Sequence, residues 1–246
     1  MPRHVLVTGS AGAIGSAMVE TFQRAGYVVC GLDRVAASSV RPEHHISVDL
    51  YHLVHDAPTQ QAVLREIMDW LGEHPLDVLV NNAAYQYVSA SHPIPVDEWT
   101  RSHSVNVLAP YVLTTALADR MARGLGSVVN IGSVHSRLTK PGFVAYATSK
   151  AALAALTRGL ALDYGDRLRI NCIEPASVET PMLLDGFKAF PEKKAALEAH
   201  HPQQRIGTPH EIAAMALALS SGDVRFLHGA CIDMSGGIAS RLHDPV

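Results

Sequence analysis

Short runs of continuous apolar residues alternate along this chain with longer stretches whose apolar positions recur at helical spacing. "HVLVTG" is followed by an amphipathic run from Ile14 to Ala25, then by "YVVCGLD" and "HISVDL". A helical pattern from Gln60 to Leu71 leads into "LDVLVNNA", and another from about Trp99 to Arg123 leads into "GSVVNIGS". A helix beginning with "AYATSKAALAAL" extends to about Tyr164, "LRINCIEP" follows, and "GACIDMSGG" closes the series. Strands without a polar face, alternating with helices, predict a parallel sheet covered on both sides. Seven strand candidates and about six helices fill the chain with no linker, repeat or low-complexity segment, so one doubly wound α/β domain is expected over residues 1–246. The least regular stretch, about 176–207, carries Pro181, Pro191 and Pro202 and follows a strand's C-terminal end. Open α/β sheets bind ligands there, so it reads as a substrate lid.

Composition narrows the function classes. The 246 residues carry a formal net charge of −3, with 17% charged and 48% hydrophobic residues. No basic excess points to nucleic acid or to an anionic membrane surface. The apolar runs fall short of the ~20 residues that span a bilayer. "MPRHVLVTGS" turns at once into a strand, which leaves no room for a signal peptide. The three cysteines, Cys30, Cys172 and Cys231, lie in or beside strand-like runs without CxxC spacing, and read as reduced core residues of a cytoplasmic protein. The 14 histidines show neither HExxH nor a framing cysteine or carboxylate, so no metal is expected.

Two patterns carry candidate chemistry. "VLVTGSAGAIGSAM" places Gly9, Gly12 and Gly15 between a strand and a helix, where backbone N–H groups can hold a pyrophosphate. Asp33 ends the next strand, where a carboxylate can bond the ribose hydroxyls of NAD and repel the 2′-phosphate of NADP. Arg34 beside it is a counter-signal. The second pattern is Tyr146 and Lys150, four apart and so on one helix face. A surface pair with a snorkelling lysine is one reading. The other is acid–base chemistry, because a nearby cation lowers a phenol's pKa from its usual value of about 10.

Together these residues resemble the short-chain dehydrogenase/reductase family over about residues 4–237. Its TGxxxGxG motif matches "TGSAGAIG", its NNAG matches "NNAA" at Asn81–Ala84, and its YxxxK matches Tyr146 and Lys150. Its catalytic Asn and Ser match Asn106 in "SVNVLAP" and Ser133 in "NIGSVHS"; its adenine-contacting Asp matches Asp49; its PGxVxTPM matches "PASVETPM". Three family glycines are alanines here, Ala13, Ala84 and Ala176, each where backbone meets cofactor or packs closely. The resemblance implies a single Rossmann-type domain and an NAD-dependent enzyme acting on CH–OH groups. It makes Tyr146 the general acid/base and Lys150 the group that lowers its pKa and binds the nicotinamide ribose. Ser133 would orient the substrate oxygen, and Asn106 would hold a proton-relaying water. By the same resemblance Gly9, Gly12, Ala13, Ile14, Gly15, Asp33, Arg34, Asp49, Leu50, Asn82, Pro175, Val178 and Thr180 line the cofactor.

The substrate site is expected to hold Gln86 and His135 beside Ser133 and Tyr146. That pair resembles 3-hydroxybutyrate dehydrogenases, but those carry a Lys three residues before the Tyr, where Phe143 stands here. A small polar secondary alcohol or ketone, a sugar or polyol, is therefore placed ahead of a short hydroxy acid. A non-catalytic NAD-binding regulator on the same fold is the alternative from another class. The resemblance also implies a homotetramer packed through the helices near 101–123 and 146–164.

Overall fold

The computed structural model describes residues 2–35, 40–89, 93–121, 126–188 and 190–242. Seven strands form one parallel sheet: β1 (Arg3–Thr8), β2 (Tyr27–Asp33), β3 (His44–Ser47), β4 (Val78–Asn81), β5 (Gly126–Ile131), β6 (Leu168–Pro175) and β7 (Cys231–Met234). Their order is β3-β2-β1-β4-β5-β6-β7, so connections leave β1 in one direction and β4 in the other. The crevice between the C-terminal ends of β1 and β4 is thus the topological switch point.

Alternation along the strands feeds two cores. Leu6, Leu79 and Val128 point to one face, where α2 (Leu50–His55), α3 (Ala57–Leu71), α5 (Ala109–Leu117) and α6 (Val144–Tyr164) supply Leu53, Ile67, Leu113 and Leu160. Val5, Val7, Val80 and Val129 point to the other, covered by Met18 and Phe22 of α1 (Ala13–Arg24) and by Ile212 and Ala216 of α9 (Pro209–Ser220). Both faces being apolar explains why β2, β4 and β5 read as near-continuous hydrophobic runs.

Three stretches depart from the sequence expectation. The helix read from Trp99 to Arg123 is instead α4 (Val96–His103), a wide π turn over Ser104–Leu108, and α5; Arg123 lies outside the described residues. Pro110 has no N–H, so the Asn106 carbonyl four residues earlier receives no α-helical bond there, and the ladder loosens. The helix read from Gln60 begins earlier, because Asp56 caps α3 by accepting from Thr59 N, and the short α2 precedes it. The stretch 176–207 contains α7 (Pro181–Phe187) and α8 (Pro191–His200), each with proline in its first turn, where the missing N–H costs nothing. Ala189 between them lies outside the described residues. Helix α9 follows, started by a Thr208–Glu211 capping box.

Candidate active site

The turn after β1 is shaped by close contact. Gly9 adopts φ +66°, donates its N–H to Leu32 O at 2.7 Å, and lies so near the next loop that a Cβ would sit 2.8 Å from Ala83 Cα. A Cβ on Gly15 would sit 2.0 Å from Gly9 O. Gly12 has no such constraint, the nearest atom to its Cβ position being Gly9 O at 3.4 Å; it is the N-cap of α1 and offers no side-chain cap. The first turn of α1, Ala13, Ile14 and Gly15, has neither a capping side chain nor an acid. It therefore presents open N–H groups and the positive end of the helix dipole.

Polar side chains tie the neighbouring loops. Thr8 Oγ1 accepts from Asn82 N and Ala83 N, both at 3.0 Å, and Asn82 Nδ2 donates to Thr8 O and Gly9 O at 3.0 and 3.1 Å. Asp33 accepts from Ala11 N at 3.0 Å and Val35 N at 3.2 Å, which fixes a carboxylate over the crevice. Asp49 has a role that the motif match did not contain: it caps α2 through Tyr51 N and accepts from Arg101 Nη2 at 2.7 Å. Arg34 Nη1 also turns to Asp49, at 4.0 Å. Leu50 begins α2 and is buried. Across the crevice Pro175 ends β6, Val178 bridges to Gly207, and Thr180 caps α7 through Leu183 N. The glycine cradle, the uncapped helix start and the fixed carboxylate fit a dinucleotide in this crevice.

Ser133 follows β5, and Tyr146 and Lys150 lie on the first turns of α6. Lys150 is 1% exposed, donates to Ile131 O at 2.6 Å, and has its Nζ 5.6 Å from the centre of the Tyr146 ring. Burial pulls the ammonium down to about 8, with Cys172 acting in the opposite direction. Burial also pushes the Tyr146 phenol up to about 12, and the facing Ser133 hydroxyl offsets part of that rise. In this arrangement desolvation outweighs any pull of Lys150 on the phenol, contrary to the sequence expectation.

Asn106 lies in the π turn with its side chain fully engaged: Oδ1 accepts from Tyr85 N at 2.7 Å, and Nδ2 donates to Tyr85 O and Ser149 Oγ, both at 2.8 Å. Ser149 in turn donates to Tyr146 O at 2.7 Å. A bridge so formed links the β4 loop to the Tyr146 backbone. Ser149 was not singled out by sequence, although it stands between the residues of the YxxxK motif. Both N–H groups of the Asn106 side chain are committed to these bonds, and its backbone carbonyl lacks the α-helical donor that Pro110 cannot supply.

His135 stacks on Phe143 with ring centres 4.7 Å apart and meets Tyr146 edge-on at 5.6 Å. Its Nδ1 lies 2.9 Å from Thr139 Oγ1, and burial, aided by Lys140, lowers its pKa. Lys140 Nζ covers the Phe143 ring at 4.7 Å. Gln86 is exposed on the extended segment after β4.

Comparison with known proteins agrees with this geometry. A family profile described as enoyl-(acyl carrier protein) reductase matches residues 9–239. Protein FixR of Bradyrhizobium diazoefficiens is 33% identical, over 96% of this chain and 86% of that protein. Glucose 1-dehydrogenase 2 of Bacillus subtilis is 31% identical, over 95% and 93%. The solved aldohexose dehydrogenase of Thermoplasma acidophilum superposes with a TM-score of 0.90 at 30% identity, covering 100% of this chain and 97% of that one. The chain therefore belongs to the short-chain dehydrogenase/reductase family, oxidoreductases that act on CH–OH groups with a nicotinamide cofactor.

Proposed function

We propose that this protein transfers hydride between NAD(H) and a small polar secondary alcohol or its ketone, a sugar or polyol. The observation that carries the reading is the half-buried Tyr146, its phenol set opposite the Ser133 hydroxyl with the sealed Lys150 beneath. When bound, the nicotinamide accepts the hydride in oxidation and returns it in reduction. Tyr146 takes the substrate hydroxyl proton or gives it back, and Ser133 holds the oxygen in place. Lys150 supplies positive charge and a ribose contact. Asn106 offers its freed carbonyl to a water that relays the proton outward. A phenol kept neutral by desolvation is a ready acid, and the oxidised cofactor would, when bound, add positive charge near it.

Gly9, Gly12, Ala13, Ile14 and Gly15 hold the pyrophosphate, and Asn82, Pro175, Val178 and Thr180 flank the nicotinamide half. Asp33 bonds the adenosine ribose. Asp49 and Leu50 border the adenine, with Asp49 acting alongside Arg101. The preference for NAD is supported by the fixed Asp33 carboxylate and by Arg34 turning away to Asp49. The aromatic pair of His135 and Phe143 supplies a flat wall for a sugar ring, with Gln86 at the rim and the stretch 176–207 as lid. Lys140 over Phe143 favours one second reading, a 3-hydroxybutyrate-like acid. A homotetramer is supported by Leu108 and Tyr111 around the start of α5 and Leu162 on α6, which are 42%, 46% and 85% exposed. Small residues follow Lys150 along α6, of which Ala154 is buried within this chain and Ala155 is exposed. A cytoplasmic location is supported by three cysteines without a disulfide. Among the described residues no helix is long and apolar enough to cross a membrane.

The test is an NAD-linked oxidation screen of aldoses, polyols and hydroxy acids at equal concentration, read as NADH absorbance. The highest kcat/KM on an aldose or polyol is expected. A highest value on 3-hydroxybutyrate transfers the assignment to the acid reading. No turnover with any alcohol or ketone, despite NAD binding, transfers it to a non-catalytic NAD-binding regulator.

A further inference from the structure

Behind Lys150 lies a cluster that the reaction does not use. Cys172 on β6 and Cys231 on β7 are direct partners across the two strands, and Glu174 stands two residues along on the same face. One ligand-capable atom from each lies within 4.8 Å of the others. The cluster touches the site: a Cβ on Gly132, the residue before Ser133, would meet Cys172 Sγ at 2.6 Å, and Cys172 acts electrostatically on Lys150.

Such a set suits either a soft metal ion or oxidation, and the surrounding charge decides. Lys150, Arg137 and Arg158 all approach it: Arg158 Nη1 donates to Cys231 Sγ at 3.7 Å and Arg137 Nε to Glu174 at 3.2 Å. Both carboxylate oxygens of Glu174 are occupied, the other accepting from Ser136 Oγ at 2.6 Å. Three cations oppose a divalent ion but favour a thiolate. A hydrogen bond from the Cys172 thiol, together with Arg158, lowers the Cys231 pKa, while that same bond and burial raise Cys172. The half-buried Cys231 is thus the attacking sulfur and the buried Cys172 the resolving one.

We propose that Cys172 and Cys231 form a reversible disulfide directly behind Ser133, Tyr146 and Lys150, a redox-modification site closed by a hydroperoxide and opened by a dithiol. The Cys231 thiolate attacks the hydroperoxide, the O–O bond breaks, the leaving oxygen departs as hydroxide or alkoxide and takes from solvent the proton the thiol had given up, and a sulfenic acid remains. Cys172 sulfur then displaces the sulfenic oxygen, which leaves as water with the Cys172 proton. Two electrons pass from the thiols to the peroxide. Adjacent strands lie about 4.8 Å apart, inside the Cα window of a disulfide and just beyond its usual Cβ separation, so the bond closes with strain and stays reducible. Closing it draws Cys172 sulfur away from Gly132 and Lys150, which slows turnover.

The test treats the full chain with one equivalent of hydrogen peroxide, then unfolds it and counts thiols. The expected result is that one of the three cysteines remains titratable, the buried Cys30, with two hydrogens lost from the intact mass. Peptide mapping joins the Cys172 and Cys231 segments, and dithiothreitol restores all three thiols. C231S and C172S, checked for fold by NAD binding, form no bridge. Oxygen added to Cys231 with Cys172 still free, a bridge to Cys30, or three surviving thiols would overturn the proposal. So would zinc held stoichiometrically by the reduced chain with both thiols protected. The rate arm rests on the dehydrogenase reading, whereas the thiol count does not. Turnover is expected to fall with bridge formation in the wild type and to hold in C231S; a bridge with no change in turnover overturns its coupling to the site.

Discussion

The two sides of the crevice are built on opposite principles. On the side of β1 and β4, Gly9 and Gly15 leave no room for a methyl group, and Thr8 and Asn82 are tied together by side-chain-to-backbone hydrogen bonds. On the other side, α7 and α8 are short, α8 buries none of its described residues, and their ion pairs, Lys188–Asp185 and Lys194–Glu198, join neighbours on the same helix. In the proposed reading the first side holds the cofactor and can be rigid, while the second would meet the substrate and gain from being able to move.

The sharpest way to break this contrast acts on the rigid half. Tyr146→Phe should lower turnover by about 10²–10⁴-fold, the usual worth of a general acid–base group, with NAD binding intact by fluorescence titration. Wild-type turnover with chemistry rate-limiting would remove Tyr146 from the mechanism. Asp33→Ala should lower kcat/KM for NAD by roughly 10–100-fold and narrow its lead over NADP, since a charge-assisted contact and a repulsion vanish together. A wild-type preference for NADP would instead make Arg34 the dominant contact.

Stability should divide the same way. Gly15→Ala drives a methyl into Gly9 O and should cost about 1–3 kcal/mol in denaturant melts, weakening NAD binding as well. Lys188→Ala on the lid should stay within about 0.5 kcal/mol, because its ion pair is exposed. Equal losses in the two variants would erase the distinction. A pH series sharpens it further. Lys150 holds its proton more weakly folded, at about 8, than the ordinary 10.5. Between those values the unfolded chain binds more protons, so this group's contribution to stability rises with pH from 8 to 10.5. Lys150→Met should flatten that rise in Tm measured against pH. The smallest effect belongs to the rim: Gln86→Ala should raise KM for the substrate several-fold, about 1 kcal/mol, and leave KM for NAD unchanged.

Much of the rigid half was legible in the sequence. Buried parallel strands write themselves as apolar runs, and a parallel sheet carries residues as distant as Gly9 and Ser133 to one edge, so motif order becomes site geometry. The loose half was legible only as irregularity, because α7, α8 and α9 start on prolines that read as breakers until the capping residues Thr180 and Thr208 are weighed. Burial depth was invisible. Nothing in "YATSK" says that Lys150 is sealed and Tyr146 desolvated, so the direction of the phenol's shift came out reversed. The contact between Asp49 and Arg101 was invisible for a related reason, since the two lie 52 residues apart and only the fold brings them together.

The wide turn at Ser104–Leu108 acts as a phase buffer. A π turn is an α-helix carrying one surplus residue, and each residue advances a helix by about 100°. The wide turn takes up that surplus, so the residues beyond it keep the facing of an uninterrupted helix. Val105, Ala109, Leu113 and Leu117, spaced by four, form one buried stripe in that setting. Deleting a single residue within the turn would restore ordinary helix upstream of Pro110 and leave Leu113 and Leu117 facing the core. The same deletion in the middle of α6 would meet no surplus to absorb it. A one-residue length change is thus a reframing of the molecule at one place and a local scar at another, and the position of Pro110 marks which is which.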